Sequence, residues 1–307
     1  MLTLHSCDLV PMNGDSHLLQ APLMPSGLAS YAYQVAGHTQ NAKTSCELLH
    51  CPQRKMVYKY MLEGVRGKKE MTFYESVNSK SAPEPLRLLR PFLPAYHGVV
   101  RSTDGESTYL ALSDLLASFK QPNVCDIKLG TASYRADASA EKKAYEDSKY
   151  RWQRNVGFIF SGAQIYDSMT GQYTRLPKIL LRSFTPQQIQ TVVLTTFLGE
   201  DPHRSRQLAC LYAEKLSSLW HWFTTCGSQC VTFCRSSVLL AHDTDRTTVE
   251  NRNAVVVALI DFTDWNPVPA TETPRTQTVD ADLAEGFARG LTSLAQMFKR
   301  IAGDITA

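Results

Sequence analysis

The sequence predicts an α+β protein organised as one two-lobed unit or as two domains, and three observations carry that prediction. A chain of 307 residues has ample material for a sizeable core in either form. Residues from about 31 to 115 give strand signals around a single helix. Beyond 116, helices with apolar stripes accompany buried strand patterns, and Ser113-Asp114 starts a short apolar stretch that can join the two parts.

Residues 1 to 30 mix Pro, Gly, Ser and Met without periodicity and read as an irregular lead-in. In the first lobe, 31–115, Lys55 to Leu62 reads as a strand and Lys68 to Ser79 as a helix carrying Glu70, Phe73 and Tyr74. Thr108 to Leu112 is a further strand. The second lobe, 116–307, includes a polar segment at about 131–185, where Asp137 or Ser139 can cap a helix running towards Tyr150. Pro186 to Phe197 and Arg206 to Phe223 read as helices, the second with Leu208, Leu211, Tyr212, Leu216, Leu219 and Phe223 on its core stripe. Phe233 to His242 reads as one strand, Asp243 to Arg252 as a polar turn, and Asn253 to Phe262 as a buried strand. A last amphipathic helix, Asp280 to Ile301, aligns Phe287, Leu291, Leu294 and Phe298.

Composition narrows the function classes. With 43% hydrophobic and 20% charged residues, the chain reads as an ordinary globular protein. A net charge of +3 argues against general nucleic-acid binding. No apolar run approaches the roughly 20 residues needed to span a membrane, and the first residues lack a signal-peptide pattern. A cytoplasmic or nuclear location and a monomeric state are expected. The eight cysteines are then reduced. Cys226, Cys230 and Cys234 are evenly spaced, but Gly227 and Val231-Thr232-Phe233 imply a turn into a strand that scatters them, against a zinc site.

The chemistry concentrates in Pro122-Asn123-Val124-Cys125-Asp126-Ile127-Lys128-Leu129-Gly130. In an extended segment Val124, Asp126 and Lys128 share one face, while Cys125, Ile127 and Leu129 point the other way. A carboxylate that orients a hydroxyl, beside a cation that holds phosphate, is the minimum equipment for phosphoryl transfer. A strand with a surface ion pair has the same spacing. Asp261 ends an apolar strand, where a buried acid needs a metal or a strong donor. Between Lys128 and Arg154, seven cations face four acids, an excess equal to that of the whole chain. Lys142 and Lys149 stand two helical turns apart on one face; a solvated helix with compensating pairs would look the same.

Taken together, these pieces resemble the inositol polyphosphate kinase family. Pro122 to Gly130 is similar to its PxxxDxKxG signature, Gln34-Val35-Ala36-Gly37-His38 to its QVAGH element, Ser236 to Leu240 to its SSLL strand, and Ile260-Asp261-Phe262 to its IDF element. Smaller echoes are Glu70 to Tyr74, Phe92 to Gly98, and Glu285-Gly286-Phe287 with Gly290-Leu291. They occur in family order from about 31 to 301.

The resemblance implies a protein-kinase-like pair of lobes with ATP between them and a helical inositol-phosphate-binding segment beside the cleft. It implies that Lys59 reaches the ATP phosphates, with Glu70 supporting that end of the cleft. It places Ser113, Asp114 and Leu115 on the hinge that meets adenine through backbone groups, Ser113 replacing the usual acid. Asp126 then lies near the nucleotide and the attacking hydroxyl, Lys128 on substrate or transferring phosphate, and Asp261 on Mg²⁺. Lys142 and Lys149 match inositol-phosphate contacts. Asp264 departs from the pattern: the family commonly has a His or Lys there, and an acid facing phosphate repels it unless a cation intervenes or the side chain turns away.

Lys149-Tyr150 and Asn155-Val156-Gly157-Phe158 resemble the multikinase branch, which acts on inositol tris- and tetrakisphosphates. Gly130-Thr131 and Asp137-Ala138-Ser139 resemble the hexakisphosphate kinases, which make pyrophosphates. A non-catalytic inositol-phosphate-binding scaffold on the same fold is the alternative that Asp264 raises.

Overall fold

The computed structural model of the chain describes residues 18, 20–36, 47–135, 137–244, 252–268 and 279–303. Most of the lead-in, the Gly37-His38 end of the QVAGH element and most of the polar turn after Asp243 lie outside these residues.

Two antiparallel five-stranded sheets organise the molecule. The first has the order β1-β2-β3-β5-β4, from β1 (Ala29–Ser30), β2 (Leu48–Cys51), β3 (Met56–Tyr60), β4 (Tyr96–Arg101) and β5 (Thr108–Ser113). Strand alternation sends Tyr58 into a small outer cluster and Val57 into the main core, so Lys59 shares the Val57 side. The second sheet runs β11-β10-β6-β7-β8, with β6 (Pro122–Leu129), β7 (Phe158–Asp167), β8 (Gln172–Pro177), β10 (Ser237–Asp243) and β11 (Val255–Ile260). A third, two-stranded sheet pairs β9 (Val231–Phe233) with β12 (Trp265–Pro267).

Helix α1 (Val65–Asn78) begins three residues before the sequence pattern suggests. Gly64 breaks the chain at φ 75°, and Gly67 sits so close to Leu62 that an added Cβ would lie 1.8 Å from its carbonyl oxygen. After α2 (Glu84–Leu89) and the buried strand β6 come α3 (Ala140–Ser148) and the short α4 (Gln153–Val156). Of the two candidate caps, Ser139 is the one used, its hydroxyl accepting from Lys142 N–H at 3.2 Å. The helical stretch from Pro186 contains a π-helical segment, Ile189–Leu194. Helix α5 (Pro202–Thr225) starts four residues ahead of the expected Arg206, because Asp201 caps it and Pro202 fits the first turn.

The expected strand from Phe233 to His242 is in fact two. Phe233 ends β9, Arg235 takes a left-handed φ of 65°, and β10 restarts at Ser237. Runs of β-prone residues carry no mark of such a turn when no glycine makes it. The Asn253–Phe262 strand is likewise shorter, ending at Ile260 because Asp261 turns out with φ 64°.

Helices α5 and α6 (Val279–Ala302) pack on each other, with Tyr212 stacked on Phe298 and Phe223 against Phe287. Their stripes and the Cys125, Ile127 and Leu129 side of β6 belong to one core. The site end of β6 is held by glycines. Gly130 N–H donates to Gly157 O at 2.7 Å, and a Cβ on Gly290 would lie 2.2 Å from that same oxygen. A Cβ on Gly286 would strike Thr131. Only bare backbone lets α6 approach so near.

Gly290→Ala is therefore expected to destabilise the fold by at least about 2 kcal/mol, since a rigid carbonyl must move. Urea unfolding followed by circular dichroism measures it; a midpoint like that of the unaltered protein would refute the close approach.

Candidate active site

The left-handed turn at Asp261 brings its carboxylate back over the first sheet. Lys59 Nζ lies 2.5 Å from Asp261 Oδ1 and 2.7 Å from Glu70 Oε1. Glu70, buried on α1, also accepts the Phe262 backbone N–H at 3.0 Å. Phe73, one helical turn along, stacks on Phe262 with ring centroids 3.8 Å apart. Trp265 Nε1 donates to Lys69 O at 2.7 Å. The helix and the loop after β11 thus hold a single lysine between two acids. Burial works against the Lys59 charge, but the Asp261 and Glu70 carboxylates outweigh it and hold the ammonium well above its ordinary range. Burial would likewise raise the Asp261 carboxyl; the Lys59 and Lys128 ammoniums prevail and hold it down at about 2.

On the facing sheet, Asp126 is 4% exposed, which rules out the surface ion pair that its spacing also allowed. Lys128 Nζ reaches Asp261 Oδ2 at 3.8 Å rather than pairing with Asp126. The alternation holds as read: Val124 packs in the cluster of Leu116, Phe119 and Ala241, and Cys125, Ile127 and Leu129 in the main core. A bulge opposite Asp126-Ile127 sets Gly162 against Asp126 and Phe160 against Ile127, with Ser161 between them. A Cβ at Gly162 would meet Val35 O at 2.1 Å, so the visible part of the QVAGH element packs beside Asp126. Burial raises the Asp126 carboxyl above the ordinary carboxylate range, aided by Asp261 and opposed by Lys128. Its Oδ1 and the buried hydroxyls of Ser161 and Ser237 make no well-aligned hydrogen bond, although both hydroxyls lie near enough to the carboxylate to favour its charge slightly. Such a group of buried polar atoms is suited to meeting a polar ligand.

Lys142 and Lys149 do share a face, and they meet across one acid that sequence reasoning passed over. Glu146, itself buried, accepts from Lys142 at 2.8 Å and from Lys149 at 2.7 Å. Burial opposes its charge, and the two lysine hydrogen bonds still hold it below the usual carboxylate range. Both ammoniums also lie over the Tyr145 ring. Gln153 of α4 ties this segment to β6, donating to Gly130 O at 3.0 Å.

Along the expected hinge, the Ser113 N–H donates to Ala95 O and the Asp114 N–H to Lys55 O, both at 2.9 Å. The Asp114 carboxylate takes Tyr31 Oη at 2.5 Å, Leu116 N–H at 2.9 Å and His50 Nε2 at 3.1 Å. Leu115 follows on the segment between the sheets and packs beside Leu116 and Val124.

Asp264 is buried, and cations do intervene around it: Arg66, Arg135 and Arg235 all lie within 4 Å. Nothing in the sequence linked these arginines, which come from three separate segments. As the sequence pattern implies, Gly227–Gln229 is a tight helical turn leading into β9; among the described residues no group of three or more His, Cys, Asp or Glu is placed to hold a metal ion. Also among them, no helix is long and apolar enough to cross a membrane.

Comparison with known proteins gives concordant matches. The model of the inositol polyphosphate kinase family matches residues 109–299. Human inositol polyphosphate multikinase is 29% identical over 220 residues, covering 71% of this chain and 52% of the human protein. Arabidopsis thaliana inositol polyphosphate multikinase alpha is 31% identical over 155 residues, 49% of this chain and 52% of that protein. This chain spans about half the length of both. The crystal structure of the S. cerevisiae inositol phosphate multikinase in complex with ADP and Mn²⁺ superposes with a TM-score of 0.61 at 22% identity, covering 80% of this chain and 98% of that one. The shared architecture is the mixed α+β, protein-kinase-like fold.

The charge arrangement has a measurable consequence. An acid held at about 2 contributes stability that is complete above its unfolded value, about 3.9, and is lost as pH falls through about 2. Lys59→Met is expected to raise the Asp261 carboxyl by at least about one unit, so the loss begins at higher pH. A carboxyl ¹³C titration reads this directly; an unmoved Asp261 would show that Lys59 does not set its charge.

Proposed function

The chain belongs to the inositol polyphosphate kinase family, and on that premise we propose that it transfers the terminal phosphoryl group of ATP to a ring hydroxyl of inositol tris- and tetrakisphosphates. The observation that carries the proposal is the convergence of Lys59, Lys128 and Asp261 beside a buried Asp126 whose Oδ1 makes no well-aligned hydrogen bond. Phosphoryl transfer asks little covalent chemistry of a protein and much positioning and charge neutralisation.

The residues divide that work. Lys59, oriented by Glu70, holds nucleotide phosphate, and Lys128 holds the group in transfer. Asp126, with its raised affinity for a proton, accepts hydrogen from the attacking hydroxyl. Asp261, ionised throughout the physiological range, is the ligand for Mg²⁺, with Asp126 near it. Mg²⁺ is commonly held by one or two carboxylates plus substrate phosphates and water, so so small an acid set suits it. When bound, the ion supplies further neutralisation of phosphate charge. Adenine is read along Ser113 to Leu115; because two of those amides are already engaged, other backbone groups there must meet the base. Lys142 and Lys149 hold substrate phosphates, exchanging part of their contact with Glu146 for them. The guanidiniums around Asp264 weaken the case for a non-catalytic scaffold, since the acid does not face a ligand alone.

Purified chain with Mg²⁺, radiolabelled ATP and a panel of inositol phosphates is expected to yield higher phosphates, resolved by ion-exchange chromatography. Turnover on none of them by folded protein sinks the proposal, and pyrophosphate products from the hexakisphosphate would move it to that branch. Asp126→Asn and Lys128→Ala should each lower kcat by at least about 100-fold with the fold intact. Lys142→Ala and Lys149→Ala should instead raise KM, each by about 10-fold or more.

A further inference from the structure

Asp264 is 4% exposed and stands three residues from Asp261, yet it makes no close salt bridge of its own. Arg66 and Arg235 lie 3.6 and 3.8 Å from its Oδ2, and Arg135 lies 3.9 Å from its Oδ1. These separations exceed hydrogen-bonding range, so the carboxylate acts as a shared counter-charge and leaves the guanidinium forks pointing N–H groups elsewhere. One Arg66 N–H goes to Thr263 Oγ1 at 3.1 Å, and Arg135 also approaches the exposed Asp137 at 3.3 Å. The three side chains remain between 35% and 51% exposed.

The cluster is built into the fold. Cys234 joins its parts, its N–H donating to Asp264 O at 3.3 Å and its thiol to Tyr134 O at 3.4 Å. Arg235 keeps a left-handed φ of 65°, a conformation that non-glycine residues hold only where the surroundings impose it. Arg66 stands one helical turn before Glu70, and its charge is felt at Asp261. Three cations stand against the buried Asp264 and the exposed Asp137, which leaves one net positive charge beside the site.

We propose that Arg66, Arg135 and Arg235 form a phosphate-binding subsite for the polyphosphorylated substrate, with Asp264 as a positioning residue that gathers them. The inference deepens the kinase reading and rests on it. Guanidinium forks match phosphate oxygens two at a time, so this subsite selects substrates that carry a phosphate at its distance from the reacting hydroxyl. Arg135 and Arg235 are then specificity-determining, and an acid at 264 aids phosphate binding indirectly.

The test uses the full chain, with binding of inositol hexakisphosphate followed by calorimetry without ATP, alongside turnover of inositol trisphosphate. Arg235→Gly removes the side chain where glycine is at ease, and Arg135→Ala removes the other. The double variant is expected to bind at least about 30-fold more weakly, with a shallower salt dependence, and to raise KM while kcat holds. Asp264→Asn adds net positive charge yet should weaken binding about 10-fold, with Asp264→Glu retaining part of it. Unchanged affinity in the double variant, tighter binding by Asp264→Asn, or no binding by the unaltered chain overturns the subsite. Absent turnover with binding lost in the double variant would instead reject the kinase reading and leave the subsite standing.

Discussion

The site depends on one lysine caught between two acids. Lys59 comes from the first sheet, Glu70 from the helix behind it, and Asp261 from the far end of the second sheet. Breaking such a partly buried set by removing one member typically costs about 3–5 kcal/mol, because the partner charge is left unmatched. Here the cost would spread, since the same Glu70 oxygen also holds the Phe262 amide. Phe73 against Phe262 and Trp265 against Lys69 then lock the loop to the helix. The ion pairs and the aromatic contacts support one geometry.

The opposite wall is made differently. Asp126 is buried by strands on both sides, and its environment disfavours its charge, whereas Asp261 is held ionised by two lysines. Two carboxylates are thus driven apart in proton affinity, one suited to proton transfer and one to holding a cation. Lys128 connects them, lowering both without closing tightly on either.

Much of this was legible in the sequence, for identifiable reasons. Strand alternation correctly assigned the two faces of β6, and helical periodicity found the stripes of α5 and α6, because both follow from local geometry. The Asp126 face and Asp261 stood out as charges embedded in apolar runs, whereas Lys59 was marked only by the family resemblance. What was hidden depended on contacts between distant segments. The Ser161 bulge, the left-handed Arg235 that splits one expected strand, and Glu146 between its lysines leave no periodic trace. Asp264 was visible as an oddity, but its meaning lay in arginines at 66, 135 and 235 that only the fold assembles.

The contact between Val35 and Gly162 carries a consequence for how such a sequence can drift. The strand position opposite Asp126 has no room for even a methyl group, because the Val35 carbonyl occupies that space. A larger residue at 162 would have to be answered by a retreat of the segment around Gln34 and Val35, which also bonds to Leu48. The two positions therefore behave as one inherited unit. A motif near the start of the chain and a glycine in the second sheet are bound to change together or not at all.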